Sequence, residues 1–457
     1  MSTKKPPHIH ILGICGTFMG GLAVIARQAG FRVTGCDSGV YPPMSTQLNA
    51  MEIDLIEGWD PSQLELQPDV FVVGNVVTRG NPLMEAILEQ NLPYISGPQW
   101  LYENVIRSKW VLAVAGTHGK TTTSSMLTKI LDDAGLNPSF LIGGVPNDFP
   151  ESSRLTDSDF FVIEADEYDT AFFDKRSKFL HYHPRTLVLG NLDFDHADIF
   201  DDLKAIERQF HHLVRMIPKT GALIVNQDSP ALKNVLDMGC WSESIYFGQD
   251  ANHWSYRVHD DGSRIDITNE AQIQGTFSPD FFGRHNLDNA MAAILAARHC
   301  GIPIEVSCQA LEEFSGVKRR MSSRGIVNDI EVFDDFAHHP TAIKATVDGL
   351  KARYPNSRVH AVLEPRSNTM RRGDHKGELA SSLVSADTVH LYSNGLIWDA
   401  RQLFCESQDQ SFISDDIDAL VRSIINETSP GDKILVMSNG HFENVHDRIL
   451  DALKKEK

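Results

Sequence analysis

Long apolar runs are missing from this 457-residue sequence. None approaches the roughly 20 residues that a helix needs to cross a bilayer, so no membrane span is expected. Cysteine is scarce: Cys15, Cys36, Cys240, Cys300, Cys308 and Cys405 are scattered, with no C-x-x-C pair and no dense framework. That pattern speaks against a disulfide scaffold and fits a reducing cytoplasm. A cationic excess is also lacking, with 42 Lys and Arg against 61 Asp and Glu and a formal net charge of −19. A nucleic-acid scaffold or a protein held on anionic membrane is therefore not expected, although local basic spots can still bind phosphate. The Lys4-Lys5 pair precedes an apolar stretch, but glycines break that stretch and it returns to the polar "RQAGFR". A strand, loop and helix are predicted there rather than a signal peptide. The sequence has no internal repeat and no low-complexity tract.

What is present is a regular alternation of short apolar runs with helical stretches. Residues 8–107 contain "IHILGI", "FRVTGCD", "VFVVGN" and "LPYIS", an alternation that predicts a parallel sheet covered by helices. "WVLAVAG" (110–116) is a continuous apolar run of the kind found in buried parallel strands. "FFVIEAD" (160–166), "RTLVLGN" (185–191) and "GALIVN" (221–226) continue that series. Around 240–280 the chain turns polar and alternating, which predicts hairpins at one edge, before the Ala-rich helix "NLDNAMAAILAARHCG" (286–301). A third series contains "IEVFDDFA" (330–337), "RVHAVLEP" (358–365), "DTVHLYS" (387–393) and "DKILVMS" (432–438). Length alone suggests about three domains. The expected architecture is α/β, with three domains in series over 1–107, 108–316 and 317–457.

The most informative stretch is "AVAGTHGKTTTSSMLTKILDDAG" (113–135). A strand ending at Gly116 runs into a tight loop, and Lys120 opens a helix. Met126, Leu127, Ile130, Leu131 and Ala134 recur at helical spacing, and Gly135 supplies a stop. Strand, glycine loop and helix N-terminus together form a phosphate cradle. Backbone N–H groups of Gly116, Thr117, His118, Gly119, Lys120, Thr121 and Thr122 surround the oxygens, Lys120 neutralises β/γ charge, and the Thr121 hydroxyl can ligate Mg²⁺. The first glycine of G-x-x-x-x-G-K-[ST] is replaced by Val114. Past the next strands come "EADEYD" (164–169), where Glu164 is a candidate Mg²⁺ ligand, and "NLDFDHAD" (191–198), which sets His196 among Asp193, Asp195 and Asp198. Three strand ends bearing a P-loop, carboxylates and a histidine predict one Mg-ATP site.

The opening loop, "HILGICGTFMGGLA" (10–23), leaves two readings open. It resembles a dinucleotide fingerprint, with Asp37 at the end of the following strand, yet Cys15 stands where G-x-G-x-x-G needs its middle glycine. It still suits a diphosphate at a helix N-terminus. A nicotinamide-dependent dehydrogenase would use such a loop, but has no need of "GTHGKTTT" or of a third nucleotide-like domain.

Taken together, "GTHGKTTT", "EADE", "NLDFDH", "GRHNLDNAMAA" (283–293), "GVKRR" (316–320) and "DDFAHHPTAI" (334–343) resemble the Mur ligase family over essentially the whole chain. The resemblance implies an ATP-dependent enzyme forming amide bonds in peptidoglycan metabolism. It implies an N-terminal UDP-sugar domain, a central ATPase domain and a C-terminal Rossmann-like domain that closes on the site. By motif, Thr121 and Glu164 would hold the Mg²⁺ at the ATP phosphates, His196 would sit at a second metal or near the acyl phosphate, and Lys120 would serve the phosphates. Asn286 and Asn289 would flank adenine, Asn286 being equally suited to cap a helix. Arg320 and Asp335 would reach the nucleotide, and His338 and His339 would be hinge or cap residues. Gly13, Cys15, Gly16, Thr17, Asp37 and Ser38 would hold the UDP-sugar. Some relatives carry a carbamoylated lysine where this chain has Gln209, so that modification is not expected.

Within the family, "SGPQWL" (96–101), "EADEYDTAFFDKRSKF" (164–179) and "EPRSNTMRRG" (364–373) are similar to the branch that joins UDP-N-acetylmuramate to the tripeptide L-Ala-γ-D-Glu-meso-diaminopimelate. Arg366, Asn368, Arg371 and Arg372 would then meet the tripeptide carboxylates, for which the arginine fork is suited. "SNGHFENVH" (438–446) departs from a segment that is glycine-rich in that branch. The rival within the family is a ligase adding L-alanine alone.

Overall fold

The computed structural model describes residues 5–40, 44–194, 199–249, 254–259, 263–401 and 411–455. The N-terminal sheet is built from β1 (His8–Leu12), β2 (Arg32–Asp37), β3 (Asp54–Glu57), β4 (Val70–Val73) and β5 (Tyr94–Ser96). Its order is β3-β2-β1-β4-β5 with every pair parallel. β1 is buried along its length, and its two histidines are matched: His10 Nδ1 lies 2.7 Å from Thr34 Oγ1 and Nε2 3.1 Å from Gln63 Oε1, while His8 Nε2 lies 3.0 Å from Thr34 Oγ1. Strand order reverses between β1 and β4, the place where such sheets bind ligands beyond their C-terminal ends. The glycine loop and helix α1 (Thr17–Gln28) stand there.

The central sheet comprises β6 (Trp110–Ala115), β7 (Ser139–Leu141), β8 (Ser153–Arg154), β9 (Phe160–Ala165), β12 (Thr186–Leu189), β13 (Ala222–Asn226), β14 (Glu243–Phe247), β15 (Trp254–Val258), β16 (Ile265–Asn269) and β17 (Gln272–Phe277). β10 (Asp169–Ala171) and β11 (Asp174–Ser177) form a separate antiparallel hairpin. The sheet order is β17-β16-β15-β14-β13-β12-β6-β9-β7-β8, with β15 to β17 antiparallel at one edge. β6, β9 and β12 lie side by side and parallel, so their C-terminal ends bring the P-loop, "EADEYD" and "NLD" together. Helix α2 (Lys120–Asp133) buries Met126, Leu127, Ile130 and Leu131 completely. Each such side chain contributes about 1.5–3 kcal/mol of apolar burial. Ala134 is half-buried, and Gly135, at φ +78°, takes the left-handed turn that ends the helix.

The N-terminal and central sheets belong to one compact unit, comprising Met1–Asp193, Lys204–Pro279 and Asn289–Ser315. A second unit holds Gly316–Lys457 together with Phe194–Leu203 and Asp280–Asp288. Its sheet uses β18 (Ser322–Val327), β19 (Ile330–Asp335), β20 (Val359–Leu363), β21 (Thr388–Tyr392), β22 (Ser411–Ser414) and β23 (Lys433–Met437) in the order β18-β19-β23-β20-β21-β22. Only β18 runs antiparallel to its neighbour. Alternation along β20 and β23 feeds two cores: Ala361, Leu363, Leu435 and Met437 face one, Val362, Ile434 and Val436 the other. No helix among the described residues is long and apolar enough to cross a membrane.

Candidate active site

The P-loop connects β6 to α2 through two glycines in left-handed backbone. Gly116 has φ +151° and Gly119 φ +79°. A Cβ on Gly119 would collide with Asn289 Oδ1, and one on Gly116 would lie 3.1 Å from the Asn191 carbonyl. Conformation disfavours a side chain at both positions, and at Gly119 the space is taken as well. Asn191 clamps the loop from the end of β12: its Oδ1 accepts from His118 N (2.8 Å), and its Nδ2 donates to His118 O (3.0 Å). Thr117 and Asp193 complete the clamp, the Asp193 N–H donating to Thr117 Oγ1 at 2.8 Å. Thr121 and Thr122 fall in the first turn of α2, where unpaired N–H groups and the helix dipole favour anions.

Lys120 Nζ donates to Gly116 O (2.7 Å) and to Glu167 Oε2 (3.1 Å). Burial works against its charge, but Glu167, Asp166 and Glu164 outweigh that penalty and raise its pKa. The ammonium is thus fixed, charged and held beside the loop. Glu164, the fifth residue of β9, accepts from Gly143 N at 2.7 Å. A Cβ on Gly143 would come within 2.9 Å of Glu164 Oε2, so the glycine makes room for the carboxylate. Asp193 Oδ2 lies 3.5 Å from His118 Nε2. His196, with Asp195 and Asp198, lies outside the described residues.

In the N-terminal loop, Gly13 turns the chain at φ +82°, where a Cβ would strike Val76. Asp37 acts on the loop itself: Oδ2 accepts from Cys15 N (2.9 Å) and Oδ1 from Ser38 N (2.8 Å). Gly16 is the N-cap of α1, and Thr17 is its first residue. Gly13, Cys15, Gly16, Thr17, Asp37 and Ser38 are therefore brought together at the C-terminal ends of β1 and β2. Gly20 and Gly21 serve packing, since a Cβ there would strike Met44 Sδ and Leu141 Cδ1 respectively.

Helix α3 (Arg284–His299) carries both candidate asparagines. Asn289 accepts from Thr123 Oγ1 at 3.1 Å and lies on Gly119. Asn286 stands inside the first turn, not ahead of it, and donates to Phe282 O at 2.9 Å. In the second unit, the Asp335 carboxylate accepts from Met321 N and Ala337 N at 2.8 Å each. Its burial raises its pKa, with Arg320 opposing. Arg320 spreads over the Phe336 ring, 5.1 Å from its centroid. His339 caps helix α4 (Pro340–Arg353): Nδ1 accepts from Thr341 N at 3.3 Å, which leaves Nε2 to donate to Phe194 O at 3.3 Å.

Arg366, Asn368, Arg371 and Arg372 are exposed just past the C-terminal end of β20. Arg366 lies on Gly440, and Arg372 Nε is 3.4 Å from Asp374 Oδ2. The loop after β23 is tied down by Arg319, whose Nη2 donates to the Ser438 and Gly440 carbonyls at 2.7 and 2.8 Å. Phe442, Glu443 and Asn444 run in left-handed backbone without glycine, a strained stretch held by a Tyr392 hydroxyl donating to Glu443 and by buried Phe442. Sequence reasoning missed Glu167, Gly143, Asn191 and Arg319. The first belongs to the acidic cluster "EADEYD", the third to "NLDFDH" and Arg319 to "GVKRR"; nothing local to Gly143 signals a role.

A P-loop with its lysine, carboxylates on the adjacent strand, and a second glycine loop on a sheet of the same unit point to a nucleotide-dependent enzyme of the P-loop class. Residues 8–109 match the Mur ligase family catalytic domain, 114–297 the Mur ligase middle domain, and 319–440 the Mur ligase glutamate ligase domain. The chain is 52% identical, over 98% of each, to the UDP-N-acetylmuramate–L-alanyl-γ-D-glutamyl-meso-2,6-diaminoheptandioate ligase of Escherichia coli K12. A murein peptide ligase structure from Psychrobacter arcticus superposes with a TM-score of 0.75 at 44% identity, covering 99% of both chains. A UDP-N-acetylmuramate–L-alanine ligase from Myxococcus xanthus is 30% identical over 99% of this chain and 98% of its own. The chain belongs to the Mur ligase family.

Proposed function

We propose that the protein is an ATP-dependent ligase that joins UDP-N-acetylmuramate to L-Ala-γ-D-Glu-meso-diaminopimelate, in the cytoplasm, as a step of murein peptide recycling. The observation that carries this reading is the near-full-length likeness to the E. coli tripeptide ligase, well above that to the L-alanine ligase. In the proposed division of labour, residues 1–107 bind the UDP-sugar, 108–316 bind ATP, and 317–457 serve the tripeptide.

A carboxylate is a poor acyl donor. The lactoyl carboxylate attacks the γ-phosphorus of ATP, the β–γ bridging P–O bond breaks, and ADP leaves. The tripeptide α-amine then attacks the acyl phosphate carbon, and inorganic phosphate departs as the amide forms. Lys120 is placed to neutralise the transferring phosphoryl group, with the helix N-terminus of α2 behind it. The Thr121 hydroxyl and Glu164 carboxylate are oxygen donors of the kind Mg²⁺ prefers, and would hold it against the phosphates. Mg²⁺ supplies charge neutralisation there when bound.

The test is phosphate release by the purified chain with ATP, UDP-N-acetylmuramate and either tripeptide or L-Ala. Release with tripeptide is expected; release with L-Ala alone overturns the assignment.

A further inference from the structure

Lys178 is a buried cation at the junction of the two sheets of the first unit, and the chemistry described so far leaves it without a task. It is 8% exposed. Its Nζ lies 3.2 Å from Asp166 Oδ2, 5.5 Å from the Tyr168 ring centroid and 5.7 Å from that of Phe18. Phe18 is the second residue of α1, immediately after the glycine loop. Asp166 follows β9 and is one of the carboxylates that act on Lys120. The ammonium thus stands between the loop assigned to the UDP-sugar and the carboxylates that face the P-loop lysine.

The surrounding fold holds it there. Lys178 follows β11, and its N–H donates to Tyr168 O at 2.9 Å, closing the β10–β11 hairpin. The hairpin tip is anchored to the N-terminal sheet: Phe172 packs against the cluster of Leu12, Phe71 and Val73, and Phe173 meets Tyr94 edge-on at 5.0 Å. Asp174, paired with His181 at 3.0 Å and Arg176 at 2.7 Å, stiffens the turn. Two phenylalanines, a turn and a strand end therefore fix one ammonium in place.

UDP-N-acetylmuramate differs from UDP-N-acetylglucosamine by a lactoyl ether that ends in a carboxylate. To react, that carboxylate must pass from the UDP-sugar loop toward the γ-phosphate, beside Glu164, Asp166 and Glu167. An anion brought among three like charges and out of water needs a paired cation. Lys120 is committed to the P-loop and to Glu167. An ammonium carries three N–H donors, of which Asp166 takes one. We propose that Lys178 binds the lactoyl carboxylate of the UDP-sugar and so selects the muramyl over the glucosaminyl nucleotide. This inference rests on the reading given under Proposed function.

The test is calorimetric titration of the full-length chain with UDP-N-acetylmuramate and, separately, with UDP-N-acetylglucosamine, for the natural protein and for Lys178→Met. The natural protein is expected to prefer the muramyl nucleotide. K178M is expected to lose about 10- to 100-fold in affinity for it, while affinity for the glucosaminyl nucleotide stays within about twofold. Equal losses for both nucleotides, or an unchanged preference, overturn the proposal and leave Lys178 as a structural partner of Asp166. Should K178M fail to fold, Lys178→Gln decides in the same two titrations. A natural protein that binds neither nucleotide speaks instead against the proposed function, so the two failures are distinguishable.

Discussion

Lys120 shows how one side chain can be readable in part. Its place after "GTHG" predicts phosphate contact, yet the partner that holds it, Glu167, is one of several acidic residues in the cluster "EADEYD". Which carboxylate turns toward the lysine depends on how the chain leaves β9 after Ala165, and periodicity says nothing past a strand end. Lys120→Ala is expected to lower ligation at least about 100-fold, as loss of a charge aimed at the transferring group does. Affinity for UDP-N-acetylmuramate, measured by titration, should hold within about twofold, because that nucleotide is assigned to the other sheet. Gly119 tests the cradle itself. With φ +79° and Asn289 Oδ1 occupying the space a methyl group would need, Gly119→Ala should destabilise the chain by about 1–3 kcal/mol. The affinity for ATP should fall at least about 10-fold in the same variant, and a urea titration beside a nucleotide titration reads both.

At the scale of elements, the apolar runs in the sequence do become the strands of three sheets, most of them buried along their length, while the short run "LPYIS" gives only the three-residue, partly exposed β5. The uses of glycine were less legible. Gly13, Gly20 and Gly21 stand close together in one loop and helix, but only the first makes a turn; Gly21 lets α1 approach Leu141 across to the central sheet. A residue's value there is set by a partner far along the chain, which no local pattern carries. Histidines placed in strands have a further consequence. His390 on β21 is fully buried, near His360, Thr388 and Glu427 Oε2 (3.7 Å), and burial first, then His360, lowers its pKa to about 3. Burial also lowers His10 on β1 to about 4. A histidine whose folded pKa lies below its unfolded value near 6.5 lends stability that is present above pH 6.5. That stability drains away as pH falls toward 3, since the unfolded chain binds the proton first. Urea midpoints should therefore drop steadily from pH 7 to pH 4. In His390→Asn the slope of that decline should be shallower, which denaturation at four pH values would show.

Across the whole molecule, a net charge of −19 has to coexist with a substrate set in which ATP, the UDP-sugar and the tripeptide are all anionic. Cations must therefore be concentrated where ligands bind, and the exposed arginines after β20 are the group proposed to meet the tripeptide. The grouping of Phe194–Leu203 and Asp280–Asp288 with the C-terminal unit was not legible in the sequence. It arises from long-range contacts: His339 donates to Phe194 O, and Arg353 spreads over Phe282, 4.8 Å from its centroid, while its Nη1 donates to Asp280 O. The position of "EPRSNTMRRG" just past a strand was legible, because the apolar run before it ends at Leu363 and open sheets present ligand groups at such ends. Arg371, exposed beside Gly395, has room to form a bidentate pair with a carboxylate. Losing one charge-assisted pair of this kind costs about 1.5–3 kcal/mol, which corresponds to about 10- to 150-fold. Arg371→Ala should raise KM for the tripeptide by that order while leaving KM for ATP and for UDP-N-acetylmuramate within about twofold. Steady-state kinetics with each substrate varied in turn separates these outcomes. A uniform rise in all three would mean that Arg371 supports the unit as a whole, and the tripeptide contact would then have to be sought at Arg366 or Arg372.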